Sequence, residues 1–178
     1  MTLKKIKIID IFLIFVLCFL THFMYSWFPN TLFSIFFPVN ESIWEHMKML
    51  FTAIMLITLF DFFAFKKWNI KNSNFLTSSF ISSLTSVPIF LIIYMPFYKD
   101  TGENMILNIT VLFIVICISQ IISFRVLTND HMKHLGYLSL IGIIVCYIIF
   151  SVLTYYPPES DIFLDHKENK YGINHYVI

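Results

Sequence analysis

The amino-acid sequence predicts an all-α integral membrane protein, a polytopic bundle of five transmembrane helices. The first observation is composition: 58% of the 178 residues are hydrophobic and only 13% are charged, whereas charged residues make up about a quarter of a soluble domain. The second is that five mostly apolar runs are each long enough to provide the ~20 residues that cross a hydrocarbon core of ~30 Å. We therefore expect the lipid bilayer as a partner. A net charge of +1 gives no basic surface that would bind nucleic acid.

The five runs belong to one membrane domain that covers residues 1–178, with no internal repeat and no long linker. Pro29, Lys66 and Pro157 mark the ends of three of them. The first run follows basic residues as a signal peptide would, but it exceeds the ~7–15 apolar residues of a signal sequence, so we expect a retained span. The expected spans are about 6–28, 41–65, 74–97, 105–127 and 135–156.

Two segments lie outside the expected spans. Residues 29–40 are too few to cross the membrane and too apolar to remain in water, so we expect them along the outer interface. Residues 157–178 form an extracytoplasmic tail. Its apolar residues 162–164 should dock on the outer end of the bundle, where the tail would act as a lid.

The distribution of Lys and Arg orients the bundle. Eight basic residues fall at one end of the spans: Lys4, Lys5, Lys7, Lys66, Lys67, Lys71, Arg125 and Lys133. Four fall at the other end: Lys48, Lys99, Lys167 and Lys170. Because short cytoplasmic loops carry the excess of positive charge, we expect a multi-pass protein of a bacterial cell membrane, with the N-terminus inside and the C-terminus outside.

A polar block, PVNESIWEHMK, opens the second span. Asn40 is the expected N-cap of that helix. Glu41, Glu45 and Lys48 then recur at helical spacing on one face, with His46 on an adjoining face. Two carboxylates one turn apart repel each other unless a cation, a proton or Lys48 lies between them. The pattern indicates a site for a positive ligand; the alternative is a charged first turn that only solvates a helix end.

Two further residues are expected beside this block. His22 lies near the outer end of the first span, at the depth of Glu45 and His46, and reaches them if the first two spans pack antiparallel. A docked tail would bring Asp165 to the same place. Ionisable groups that face the interior of a membrane bundle usually serve a function. The candidate metal ligands are His22, Glu45, His46 and Asp165, and the wider ligand-binding pocket comprises Glu41, Glu45, His46, Lys48 and Asp165.

The leading functional hypothesis is an outward-facing pocket that binds a cation or a small polar ligand, in a transporter or a regulatory membrane protein. Oxygen and imidazole ligands without thiolate suit zinc or manganese. Transport would also involve the polar residues Ser82, Ser83 and Gln120 within the spans. Asp61 lies near the cytoplasmic end of the second span, where Lys66 or another basic group would neutralise it.

The alternative is a metal-dependent intramembrane hydrolase or transferase that acts on lipid at the outer leaflet. Glu45 would then be the catalytic general base on a metal-bound water. The sequence carries no H-E-x-x-H motif and no serine elbow that would favour this enzyme. A structural subunit of a membrane complex is a further alternative, and the sequence does not specify its protein partners.

Three parts of the chain carry a resemblance to known sequences. They are PVNESIWEHMK at residues 38–48, the preceding His22-x-x-Tyr25 pair, and a C-terminal Pro-Pro…Phe…Asp…Tyr-Gly-Ile block at residues 157–173. With them, the full chain resembles a family of small, uncharacterised multi-spanning membrane proteins found widely in Gram-positive bacteria. The resemblance implies a helical bundle in which these motifs act as a unit, and it implies no particular activity.

Overall fold

The computed structural model of the protein describes residues 1–70, 74–101, 104–173 and 175–176. Five of its helices are long and apolar enough to span a membrane, which confirms the predicted fold class. Lys71, which contributes to the predicted charge asymmetry, lies outside the described residues. The elements are α1 (Leu3–Trp27), α2 (Thr31–Phe36), α3 (Ile43–Lys67), α4 (Phe75–Thr101), α5 (Met105–Leu127), a 3₁₀ helix (Asp130–Leu135), α6 (Gly136–Tyr155), β1 (Leu164–Asp165), β2 (Lys170–Tyr171) and β3 (His175–Tyr176).

Helix α3 is the most buried of the five long apolar helices. It packs against α1 and α4, while α5 packs against α1 and α4, and α6 packs against α4. The short helix α2 follows α1 and lies against α6. Leu50, Phe51 and Ile54 of α3 are buried in the core, whereas the outer faces of α1 and α6 expose apolar side chains, as helices that face lipid do.

The first turn of α3 differs from the expectation, because Ser42 and not Asn40 is its N-cap. The side-chain oxygen of Ser42 accepts a hydrogen bond from the backbone N–H of Glu45 at 3.4 Å, and the S-x-x-E spacing favours this start. Asn40 instead accepts from the N–H of Ser42 and donates to the carbonyl oxygen of Gly172, both at 2.9 Å. As a consequence, Glu41 precedes the helix and does not share a helix face with Glu45.

The tail folds back onto the start of α3, where strands β1 to β3 form a small antiparallel sheet that the sequence did not predict. The backbone N–H of Trp44 donates to the carbonyl oxygen of Ile162 at 2.9 Å, and the rings of Trp44 and Phe163 lie 5.0 Å apart. Gly172 has a φ of +55°, and a Cβ there would lie 2.3 Å from the carbonyl oxygen of Thr154. The turn after β2 therefore requires glycine.

The two ends of the bundle carry different polar groups. We call the end with residues 28–42 and the tail the tail end, and the opposite end, where α1 begins, the amino-terminal end. Near the amino-terminal end, the buried ammonium group of Lys7 contacts the carboxylates of Asp10, at 2.8 Å, and of Asp61. Lys7 is thus the basic group that neutralises Asp61, and this triad joins α1 to α3.

Hydroxyl groups on α4 serve contacts within and between helices. The Oγ of Ser78 lies 2.8 Å from the Oγ of Ser123 on α5. The buried hydroxyls of Ser82 and Ser83 donate to backbone carbonyls of their own helix. Small hydroxyl residues at these positions are typical of closely packed membrane helices.

Candidate functional site

Three side chains meet at the tail end, between α1 and the start of α3. The Nε2 atom of His22 lies 3.1 Å from Oε1 of Glu41, and the Nε2 atom of His46 lies 3.9 Å from Oε2 of the same carboxylate. The centroids of the two imidazole rings are 5.5 Å apart. One ligand atom from each residue lies within 4.8 Å of the other two. We call His22, Glu41 and His46 the histidine–glutamate cluster.

The backbone of α3 fixes the orientation of His46. Its Nδ1 atom lies 2.9 Å from the carbonyl oxygen of Ser42, one turn earlier. Because a carbonyl oxygen only accepts hydrogen bonds, Nδ1 carries the proton, and in the neutral ring Nε2 carries the lone pair. Metal-binding histidines commonly donate their other N–H to a backbone carbonyl in this way. The ring is therefore oriented to offer Nε2 as a ligand on the side of Glu41.

The carboxylate of Glu41 is the anionic centre of the cluster. The ammonium nitrogen of Lys167, from the tail, lies 3.3 Å from its Oε2. The hydrogen bond from His22, followed by the charges of His22, His46 and Lys167, lowers the pKa of the Glu41 carboxyl to about 2, while partial burial opposes this shift. Glu41 is consequently an anion at any physiological pH.

The spacing of the histidine–glutamate cluster suits a divalent metal ion. In a tetrahedral zinc site with bonds of about 2.0–2.1 Å, ligand atoms lie about 3.3 Å apart. The two imidazole nitrogens lie 3.1 Å and 3.9 Å from different oxygens of the Glu41 carboxylate, near that value, and one ligand atom from each of the three residues lies within 4.8 Å of the other two. Two imidazoles and one carboxylate supply three ligands, and catalytic zinc sites with this set keep a fourth position for water or substrate.

A cavity of about 460 Å³ adjoins the cluster. The cluster and Lys167 lie at its polar end. The rest extends among apolar side chains of α1, α3, α4 and α5, including Cys18, Phe90 and Leu112. Its volume lies within the range of about 300–1,000 Å³ that is usual for ligand pockets.

Glu45 and Lys48 form a separate, buried ion pair. The Nζ of Lys48 lies 2.6 Å from Oε2 of Glu45, and it also donates to the carbonyl oxygen of Ser34 at 2.8 Å. Its third partner is the hydroxyl of Thr154 at 2.9 Å, which in turn donates to Oε1 of Glu45 at 2.7 Å. The N–H of Val39 donates to Oε2 of Glu45 at 3.1 Å. This Glu45–Lys48 network satisfies both charged groups and joins α2, α3 and α6.

Asp165 holds the tail against the cluster through backbone N–H groups. Its Oδ2 accepts from the N–H of Glu41 at 3.0 Å. Its Oδ1 accepts from the N–H groups of Lys167 at 2.9 Å and Glu168 at 3.1 Å. The buried carboxylate thus positions the backbone of Glu41 and of Lys167, and both of these side chains line the cavity.

The predicted site residues are therefore divided among three roles. His22, Glu41 and His46 form the cluster. Glu45 and Lys48 belong to the buried network, and Asp165 supports the cluster through hydrogen bonds with backbone N–H groups.

Three residues with prominent contacts were not among the predicted site residues. Lys167 pairs with the cluster, Thr154 bridges the two charges of the Glu45–Lys48 network, and Asp10 belongs to the triad at the other end. A carboxylate inside the first apolar run was a readable signal for Asp10. The positions of Thr154 and Lys167 depend on contacts across more than a hundred residues, and no local pattern indicates them.

Fold and site together define a class: a five-span helical membrane protein with a histidine–glutamate cluster beside a largely apolar cavity. Residues 1–173 match the family described as Family of unknown function (DUF6512), and the chain belongs to that family. Neither the curated proteins nor the solved structures compared with the chain gave a match.

Proposed function

We propose that the protein binds a divalent metal ion, zinc first and manganese second, at the histidine–glutamate cluster. The observation that carries this proposal is the convergence of ligand atoms from His22, Glu41 and His46 within 4.8 Å. The hydrogen bond from His46 to the carbonyl oxygen of Ser42 supports it, because this bond orients the ring before any ion binds. In a cell membrane, with the N-terminus in the cytoplasm, the cluster faces the outside.

Glu45, Lys48 and Asp165 take structural roles in this proposal. Coordination by Glu45 would break its 2.6 Å ion pair and leave Lys48 buried without a counter-charge. Removing one partner of a buried pair costs about 3–5 kcal/mol. The carboxylate of Asp165 already accepts hydrogen bonds from three backbone N–H groups.

An enzymatic role is the second candidate function, favoured by the cavity beside the cluster. Two histidines and one glutamate form the ligand set of some zinc hydrolases, in which the fourth position holds a water that the metal activates. The cavity offers space for a substrate next to that position. Glu45 is ion-paired with Lys48 and accepts a hydrogen bond from Thr154. A hydrolase or transferase of this kind would therefore use a general base other than Glu45.

Transport has weaker support. The hydroxyls of Ser82 and Ser83 donate to carbonyls of α4, and Nε2 of Gln120 lies 3.4 Å from the hydroxyl of Ser119. The hydroxyl of Ser83 also lies 3.5 Å from Sδ of Met55 on α3, so both serines serve packing contacts, whereas Oε1 of Gln120 is buried without a hydrogen-bond partner among the described residues. Zinc uptake into proteoliposomes that depends on Ser82, Ser83 and Gln120 would favour transport over binding.

The test of metal binding is a zinc titration of the detergent-purified protein after dialysis against a weak chelator. The wild type should bind zinc stoichiometrically. His22→Ala and Glu41→Gln should each weaken binding by more than about tenfold, since each removes a direct ligand. His131→Ala is the matched control, because it removes an exposed histidine in the 3₁₀ helix at the amino-terminal end.

Thermal unfolding of the same samples shows whether each variant is folded. Loss of zinc from a folded His22→Ala protein, with His131→Ala unchanged, supports the site. Equal zinc affinity in wild type and His22→Ala would move the site away from the cluster. A wild type that binds neither zinc nor manganese would reject the proposed function.

A further inference from the structure

The cavity beside the cluster has the polarity of an amphiphile. The polar part of its lining comprises the histidine–glutamate cluster, the ammonium group of Lys167, and the amides of Asn104 and Asn108. Most of the remaining lining is apolar and includes Met49, Phe90, Ile109 and Leu112. A ligand that fills this space needs a charged head and a hydrocarbon part.

Some of the residues that line the cavity, on α1 and at the start of α5, are exposed at the surface. Phe19 and Phe23 line it from α1, and Met105 lines it from α5, where it is 75% exposed. One turn deeper, the rings of Phe15 and Phe113 lie 5.4 Å apart and close the space between the same helices. An acyl chain from the leaflet at the tail end would enter among these exposed residues of α1 and α5.

We propose that this cavity binds a phospholipid with an anionic headgroup from the leaflet at the tail end. The acyl chain enters between α1 and α5 and lies against Ile109 and Leu112. The headgroup phosphate lies at the histidine–glutamate cluster and at Lys167. The ligand class of the proposed metal site is thus a membrane lipid of the outer leaflet.

The assignment of an anionic headgroup rests on the proposed function. With neutral imidazoles, the charges of Glu41 and Lys167 cancel, so the polar end is neutral. A bound divalent ion adds two positive charges and becomes the largest local charge in the site. Basic pockets of this kind between membrane helices bind lipid headgroups. Free phosphate would use the polar end alone and would gain nothing from the apolar lining.

Two substitutions on α5 separate lipid binding from metal binding. Ile109→Trp adds a large ring to the apolar lining of the cavity at a residue outside the cluster. Ile106→Trp adds the same side chain at a position that is 79% exposed on the bilayer-facing surface. Zinc-loaded, delipidated proteins are mixed with phosphatidylglycerol in detergent. Native mass spectrometry then measures bound lipid, and elemental analysis measures zinc in the same samples.

Ile109→Trp should reduce bound phosphatidylglycerol about tenfold, because the larger side chain occupies space that the acyl chain would fill. Its zinc content should equal that of wild type, and Ile106→Trp should retain both ligands. Lys167→Ala should lower the preference for phosphatidylglycerol over phosphatidylcholine with zinc still bound. A parallel arm adds inorganic phosphate, which should not displace the lipid at an equal concentration.

Equal lipid retention by Ile109→Trp and Ile106→Trp, with zinc bound to both, would overturn the lipid proposal and leave the metal site standing. Displacement of the lipid by an equal concentration of inorganic phosphate would also overturn it, in favour of free phosphate as the ligand. Absence of zinc from the wild type would instead reject the proposed function, and the headgroup assignment with it.

Discussion

Glu41 and Glu45 lie four residues apart in one motif, yet their surroundings differ. The side chain of Glu45 is 1% exposed, and its oxygens accept hydrogen bonds from Lys48, Thr154 and the N–H of Val39. The side chain of Glu41 is 34% exposed and lines a cavity. Two of its neighbours are imidazoles, which can exchange a proton for a metal ion.

This difference separates a structural carboxylate from a candidate ligand of the same residue type. A buried ion pair whose hydrogen bonds are all made fixes the helices that it joins, and it has no free capacity for a ligand. A carboxylate beside two histidines and a cavity can change partners without leaving a buried charge uncompensated. Substitutions at the two glutamates and at their partners test whether the glutamates have these separate roles.

The largest effect is expected from breaking the Glu45–Lys48 network. Lys48→Met leaves the buried carboxylate of Glu45 without its cation and should lower the free energy of unfolding by about 3–5 kcal/mol. Lys167→Met removes the 63% exposed lysine that pairs with Glu41. That loss should be less than about 1 kcal/mol. Unfolding of both variants in the same detergent measures the difference.

A double variant controls for the loss of charge itself. Glu45→Leu combined with Lys48→Met removes both buried charges and should recover part of the stability lost in Lys48→Met. If Lys48→Met and Lys167→Met unfold at the same temperature, the buried network does not stabilise the bundle as described.

An intermediate effect is expected from Asp165→Ala, which releases the backbone N–H groups of Glu41 and Lys167. Stability should fall by about 1–3 kcal/mol, because buried donors lose their partner. Zinc affinity should fall about 10- to 100-fold, as when a supporting residue of a metal site is removed. Asp161→Ala, at an exposed position of the tail, is the control. Stability and zinc affinity that are the same in Asp165→Ala as in Asp161→Ala would contradict the role of Asp165.

The smallest effect concerns pH. The folded-state pKa of Glu41 is lowered from 4.5 to about 2, so the ionised carboxylate stabilises the fold above about pH 4.5, and this contribution is lost as the pH falls toward 2. The stability difference between wild type and Glu41→Gln, measured with chelator, should therefore shrink on acidification. It should not exceed about 1 kcal/mol, since a third of the side chain is exposed. A difference that grows between pH 4.5 and pH 2 would contradict the lowered pKa.

The fold class could be predicted because membrane spans depend on length and apolarity, which are local properties of a sequence. The helical relation between Glu41 and Glu45 was predicted wrongly, since it depended on where α3 begins. The S-x-x-E pattern of Ser42 and Glu45 carried that information, and a cap at Ser42 places Glu41 before the helix.

The candidate site was partly predictable for a related reason. His22 and His46 stood out as ionisable residues near the tail end of adjacent spans. Two other contacts depend on how α6 and the tail pack against α3. They are the hydrogen bond from Lys48 to Thr154 and the ion pair between Lys167 and Glu41. Such long-range contacts have no periodic signal in the chain, so the roles of the two glutamates could only be assigned from packing.

The most direct test of these separate roles is to measure zinc affinity and thermal stability for Glu41→Gln beside Glu45→Gln. Glu41→Gln should lose zinc and unfold near the wild-type temperature. Glu45→Gln should unfold at a lower temperature and, while folded, bind zinc as the wild type does. Zinc binding that is lost in Glu45→Gln but retained in Glu41→Gln would contradict the assignment of the metal site to the histidine–glutamate cluster.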